Sequence, residues 1–222
     1  DPIELIEKYG ADGVRVGMLL CSPAGNDLPF DESLCEQGRN FSNKIWNAFR
    51  LIKGWEVAES EQAESAKQAI EWFDSKINKV IVEIDESYSK YRISEALMST
   101  YKLIWDDFCS WYLELIKPSY GSPIDRITYT KTIEHLEKIL KLLHPFMPFL
   151  SEEIWHLIDD RKEDIIISDW PKAGTINNSL LNDFENTTEV VAGIRTIRKE
   201  QNIANKEQLE LLVIYNQKTN TN

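Results

Sequence analysis

At 222 residues, 42% hydrophobic and 28% charged, the chain carries apolar material for a sizeable core and is not a disordered polymer. No apolar run approaches the roughly 20 residues of a bilayer span, and Asp1-Pro2-Ile3-Glu4 lacks the layout of a signal peptide, so a soluble, cytoplasmic protein with no membrane partner is expected. The formal net charge of −12 excludes a broad basic face for a polyanion. Most of that charge is local, however: residues 56–74 hold six acids against one base, and residues 151–170 hold seven against two. The remainder is nearly neutral and leaves room for a shaped nucleic-acid site. Three widely separated cysteines, Cys21, Cys35 and Cys109, fit neither a disulfide framework nor a Cys-rich zinc site.

In chain order, Asp1 is a good N-cap with Pro2 at the first helical position and Gly10 as the stop, which frames a short helix over Ile3–Tyr9. Residues 11–20 read as a second short helix, and Ser22–Asp27 as a loop on its turn chemistry. No proline occurs between Pro29 and Pro118, so long helices are permitted there. Asp31 can cap the first of them, whose apolar stripe is Leu34, Gly38, Phe41, Ile45, Ala48 and Ile52, widened by Trp46 and Phe49. A second stripe runs through Phe73, Ile77, Val80, Ile84, Ser87 and Tyr91, a third through Leu97, Tyr101, Ile104, Phe108, Trp111 and Leu115, and a fourth through Tyr129, Ile133, Leu136, Leu140 and Leu143. Four such stripes predict an all-α, antiparallel helical bundle, since each needs a partner. His144–Phe149 bends the chain into a short helix opening at Ser151-Glu152-Glu153 and running through Trp155 and Ile158. An acidic turn, the run Ile165-Ile166-Ile167 and a Pro/Gly/Asn connector follow. A last helix is expected over about 180–201, then a strand through Leu209, Leu211, Val213 and Tyr215, as a short C-terminal helix-plus-strand appendage.

No catalytic constellation emerges: there is no glycine-rich phosphate loop, no nucleophile elbow and no helical His pair at metal-ligand spacing. His135, His144 and His156 read as ordinary helix-surface or helix-end residues, Cys109 as a small buried hydrophobe, and Asp106-Asp107 as a solvated face without a basic partner. Catalytic, cofactor-binding and metal-binding residues are therefore all expected to be absent. The face of the first long helix opposite its apolar stripe is different, reading Glu36, Asn40, Asn43, Asn47 and Arg50, flanked by Arg39, Lys44 and Lys53. Amide and guanidinium groups can bond base edges while Lys and Arg neutralise phosphates, which suits a single-stranded RNA loop. A plain solvated face is the default alternative and is favoured on composition alone. Arg195, Arg198 and Lys199 on the last helix form a second basic cluster, again most simply a solvated face.

Specific runs carry more. Asp1-Pro2-Ile3-Glu4-Leu5-Ile6-Glu7-Lys8-Tyr9-Gly10-Ala11-Asp12-Gly13-Val14-Arg15 resembles the segment following the KMSKS signature in class I aminoacyl-tRNA synthetases of the Val/Ile/Leu group. Arg39-Asn40-Phe41-Ser42-Asn43-Lys44-Ile45-Trp46-Asn47-Ala48, Trp105-Asp106-Asp107-Phe108-Cys109-Ser110-Trp111-Tyr112-Leu113-Glu114 and Leu143-His144-Pro145-Phe146-Met147-Pro148-Phe149-Leu150-Ser151-Glu152-Glu153-Ile154-Trp155 resemble the valyl branch of that group. The resemblance spans residue 1 to about 215, with neither the HIGH nor the KMSKS element present. It implies stem-contact helices over 1–30, an anticodon-binding helical bundle over 31–158, and over 159–222 a connector, a helix and the start of a truncated α+β region. It further implies a parent ligase that uses ATP in its own catalytic domain, with no cofactor in this stretch. Its partners would be that catalytic domain and tRNA(Val), not DNA. The anticodon contacts it implies are Ser33, Arg39, Asn40, Asn43, Lys44, Asn47, Arg50 and Leu51 on the first long helix, with Leu113 on a neighbouring one; Trp111 is assigned to the core. Ser33 and Leu51 depart from the basic and aromatic residues that would serve better there. An isoleucyl, leucyl or methionyl enzyme shares the bundle without the Arg39–Ala48 run, and a helical interaction module with no RNA role fits the net charge.

Overall fold

A computed structural model describes residues 1–21, 30–204 and 206–212, in two compact units, Asp1–Ile176 and Asn177–Asn222. The Ser22–Asp27 loop lies outside the described residues. In the first unit the elements are α1 (Pro2–Tyr9), α2 (Ala11–Cys21), α3 (Glu32–Lys53), β1 (Val57–Ala58), α4 (Glu64–Ser89), α5 (Ile93–Lys102), a π-helical segment (Leu103–Tyr112), α6 (Leu113–Ile116), β2 (Ile124–Asp125), α7 (Arg126–Leu143), α8 (Pro148–Ile158) and a 3-10 turn (Ile165–Ile167). The expected caps form: Asp1 accepts from the Ile3 N–H, Asp31 from that of Ser33, and Gly10 ends α1 at φ +76°. The helix predicted to open at Ser151 opens a turn earlier, on Pro148, whose ring suits the first turn.

The helical bundle is as expected, and its centre is aromatic. Phe73 of α4 is fully buried, stacks on Tyr112 with ring centroids 4.6 Å apart, and meets Phe108 at 5.5 Å. Tyr112 donates its hydroxyl to Thr132 Oγ1 (3.0 Å), because Thr132 donates its own proton to the Thr128 carbonyl. Every group in that relay is buried and satisfied.

Three stripes differ in part from their 3.6-residue prediction. α5, the π-helical segment and α6 form one continuous helix, and the wider π turns advance the buried face by about a residue. Trp111 is thus only half-buried and Leu115 is exposed, while Tyr112, Leu113 and Ile116 take the core positions. In α7 the buried line at the N-terminal end is Thr128, Thr132 and His135, with Tyr129 and Ile133 half-buried beside it. His135 is therefore a core residue and not a surface one. Tyr91, placed on the second stripe, stands 87% exposed beyond the end of α4, in a left-handed conformation (φ +59°).

The run Ala11–Arg15 has a structural task. Asp12 of α2, although buried, accepts the Leu150 N–H at 2.7 Å and that of Phe149 at 3.4 Å, capping α8 from another helix. Arg15 donates to the Phe146 and Pro145 carbonyls at 3.2 and 3.0 Å. Together they clamp the His144–Phe149 corner to α2.

In the second unit, α9 (Asn178–Glu200) starts on the Asn177 side chain, which accepts the Leu180 N–H. Arg198 donates to the Ala204 and Glu207 carbonyls, so it folds the following chain back and is not merely solvated. Residues 206–212 form no strand, and Val213 and Tyr215 lie outside the described residues.

Candidate nucleic-acid interface

α3 buries Cys35, Gly38, Phe41, Ile45, Ala48, Phe49 and Ile52, which leaves the amide and basic face outward. Asn40, Asn43, Asn47 and Arg50 are exposed at helical i, i+3, i+4 spacing and, among the described residues, make no side-chain hydrogen bond or ion pair. The row continues into Leu51, 42% exposed, at the C-terminal end of α3. Arg39 is half-buried, paired with Glu36 at 3.3 Å and lying 5.6 Å above the Tyr9 ring. Ser33 is exposed in the first turn.

Lys44 has a support that sequence reasoning missed. Its ammonium lies 5.3 Å from the centroid of Trp105, and Trp105 is stacked on Tyr101 with ring planes 7° apart. Lys44 is half-buried, and an ammonium over an aromatic face is held without its charge being neutralised. The signal was the i, i+4 spacing of Tyr101 and Trp105. Leu113 does not belong to this face: at 2% exposure it packs in the core, because the π-helical turns rotate it inward, and it offers RNA no surface.

Other polar groups are structural. Asp107, read as a solvated acid, is 17% exposed and faces Lys76 Nζ at 3.4 Å; burial pushes its carboxyl up to about 6 despite that partner. His135 is held neutral by burial and donates Nε2–H to Asp74 at 3.0 Å, where Lys138 adds its charge at 3.5 Å. Burial likewise pushes the Cys109 thiol up to about 12, which makes it an inert, protonated core residue. Among the described residues, Glu152, His156 and Asp164 are the group whose ligand atoms come within 4.8 Å of one another. His156 Nε2 lies 3.1 Å from a carboxylate oxygen of each, and Glu152 also accepts the Ile165 N–H, so hydrogen bonding accounts for the cluster. No helix among the described residues is long and apolar enough to cross a membrane.

The family model for the anticodon-binding domain of tRNA ligase matches residues 71–213, more than half of the chain. The chain belongs to that family. As an anticodon-binding domain it aligns over 99% of its length with the valine–tRNA ligase of Christiangramia forsetii at 58% identity, and over 96% with that of Phocaeicola vulgatus, also at 58%. With the Pseudothermotoga lettingae valine–tRNA ligase the identity is 36% over 96% of the chain. The domain spans about a quarter of the length of these relatives, 25% in each. Its fold is that of the Agrobacterium radiobacter K84 LeuRS–tRNA–LeuAMS ternary complex, with a TM-score of 0.56 at 17% identity over 82% of this chain and 21% of that one.

Proposed function

We propose that this domain is the tRNA-holding part of a cytoplasmic valine–tRNA ligase, whose remaining length would use ATP to activate valine and transfer it to tRNA(Val). The alignment with valine–tRNA ligases over nearly the whole chain carries the reading. The domain makes and breaks no bond. It binds the anticodon arm along the α3 face, so that the acceptor end meets the catalytic domain of the same protein, and its contribution is orientation. Asn40, Asn43 and Asn47 supply amide donors and acceptors for base edges in an unpaired loop, and Lys44 and Arg50 supply charge to its phosphates.

The test is a titration of the chain with a fluorescently labelled hairpin carrying the valine anticodon loop, beside a hairpin with a non-cognate loop. Tighter binding of the valine hairpin is expected. Lys44→Ala removes one charge-assisted contact, on the order of 1–3 kcal/mol, and weakens that binding roughly five- to a hundred-fold, while the lost Trp105 contact lowers folding stability by no more than about 1 kcal/mol. Equal affinity for both loops, or indifference to Lys44→Ala, would overturn the assignment.

A further inference from the structure

We propose that the groove beside the Ile165–Ile167 turn is a docking surface for a basic, apolar-centred segment of the ligase's own chain, from the part outside these 222 residues. This rests on the reading of the domain as about a quarter of a longer ligase, and it concerns a face of the first unit that the RNA-binding reading leaves unused.

The groove consists of two adjoining cavities of about 410 and 350 Å³, which share His144, Pro148 and Ile166. Arg15, Lys141 and Trp170 help to line the first, and Phe149, Glu152 and Glu153 complete the second. Ile166 stands 72% exposed and Phe149 66%, with Ile167 next in the chain at 69%. A single surface isoleucine needs no explanation, but large apolar side chains gathered on a concave surface mark an interaction site.

The chain holds these side chains outward. Ile165 is buried, and its N–H bonds the Glu152 carboxylate at 2.9 Å. Before it, Trp155 Nε1 donates to the Glu163 carbonyl at 3.1 Å; after it, Lys141 donates to the Asp169 carbonyl at 3.2 Å and Trp170 Nε1 to Asp85 at 2.9 Å. The turn is pinned on both sides, so burying Ile166 and Ile167 within this unit would break those bonds. A partner therefore meets a preformed surface and is spared the cost of ordering it.

Charge selects the occupant. The stretch 151–170, which supplies much of the groove, carries seven acids against two bases, a field that repels RNA and favours a polypeptide with lysine or arginine beside its apolar residues. Arg15 and Lys141 do not reverse this, since each already donates to backbone carbonyls. The relatives are about four times as long as this chain, so on the ligase reading some three-quarters of the protein is tethered to the groove. Tethering gives a segment of it an effective concentration that a separate protein lacks.

The experiment places Ile166→Cys or, as a second position, Ile167→Cys in the 222-residue chain and in the full-length ligase, and follows labelling by a maleimide. The three native cysteines of this chain are buried, and the unsubstituted full-length protein supplies the background to subtract. Both introduced thiols are expected to react at least about tenfold more slowly in the full-length ligase, at any protein concentration, because a covered groove labels only when it opens. Glu153→Lys, added to either variant, should reduce that protection. Equal rates in the two proteins overturn the proposal, and protection indifferent to Glu153→Lys overturns the basic character of the occupant. Slowing that grows with the concentration of the short chain assigns the groove to a second copy, and slowing that requires the RNA hairpin assigns it to RNA; either overturns the proposal. Valine-dependent ATP–pyrophosphate exchange by the unsubstituted full-length protein reports separately on the ligase reading: normal exchange with equal labelling rates sinks the docking surface alone, and absent exchange sinks the ligase reading.

Discussion

Asp107 and Lys76 meet at 3.4 Å where only 17% of the carboxylate side chain reaches water, and the cost of desolvating the charge exceeds what one lysine returns. The carboxyl, ordinarily near 3.8, titrates at about 6 in the folded chain, so between those values the folded state holds a proton that the unfolded state has lost. This group's contribution to stability is therefore fully present below about pH 4 and is lost as the pH rises through about 6, by up to about 3 kcal/mol. Exposed carboxylates such as Glu86, lowered by the Lys90 hydrogen bond, push the other way, so the effect is isolated by difference. The thermal midpoint of Asp107→Asn minus that of the native chain should become more positive from pH 4.5 to pH 7. A difference constant across that range would show that the carboxyl titrates normally. Leu113 makes the same point about place deciding role: the resemblance put it against RNA, but at 2% exposure Leu113→Ala should lower the melting temperature, by a cost of about 2–5 kcal/mol.

Helix α3 is locked to α2 through small residues. A Cβ on Gly38 would stand 2.4 Å from the Gly13 carbonyl oxygen, and one on Gly17 would stand 2.7 Å from the Cys35 backbone nitrogen. Backbone cannot yield as a flexible side chain can, so Gly38→Ala should destabilise the first unit by at least about 1–3 kcal/mol, read as a lower midpoint in thermal unfolding. Gly193, within α9, has open space around its Cβ position, and there Gly→Ala should raise helicity by circular dichroism and add up to about 1 kcal/mol. Equal effects at the two positions would remove the close-packing argument. The same helices show what was readable in the sequence. Asp1, Gly10 and Asp31 mark their boundaries through local chemistry, and the Phe41–Ile45–Ile52 stripe follows an undistorted α period. Where the helix widens at Leu103–Tyr112 a fixed period misplaces Trp111 and Leu115, because a π turn depends on tertiary packing and not on local propensity. The buried Thr128–Thr132–His135 line eluded an apolar template for another reason: its partners, Tyr112 and Asp74, belong to distant elements. On the α3 face the amides were legible, but the Trp105–Tyr101 stack under Lys44 comes from a different helix.

Across the whole molecule, a net charge of −12 sets how the proposed RNA binding responds to salt. Each phosphate neutralised by a Lys or Arg releases condensed counterions, so the logarithm of the binding constant falls with that of salt concentration by about 0.7 per contact on single-stranded RNA. On α3, Lys44 and Arg50 have no carboxylate partner among the described residues, Lys53 donates to the Ile158 carbonyl, and Arg39 is shared with Glu36. Two to four contacts give a slope of about −1.4 to −2.8, so doubling the salt should weaken binding roughly three- to seven-fold. The acid-rich stretches 56–74 and 151–170 add long-range repulsion that salt screens, which makes the measured slope shallower still. Anisotropy titrations of the labelled hairpin from about 50 to 400 mM KCl would measure it, and Lys44→Ala should make the slope less negative by about 0.7. A slope of −6 or steeper would require a broad basic surface that this charge distribution does not contain. A slope near zero, or one unmoved by Lys44→Ala, would mean that phosphates do not contact α3, and the binding face would have to be sought on another element.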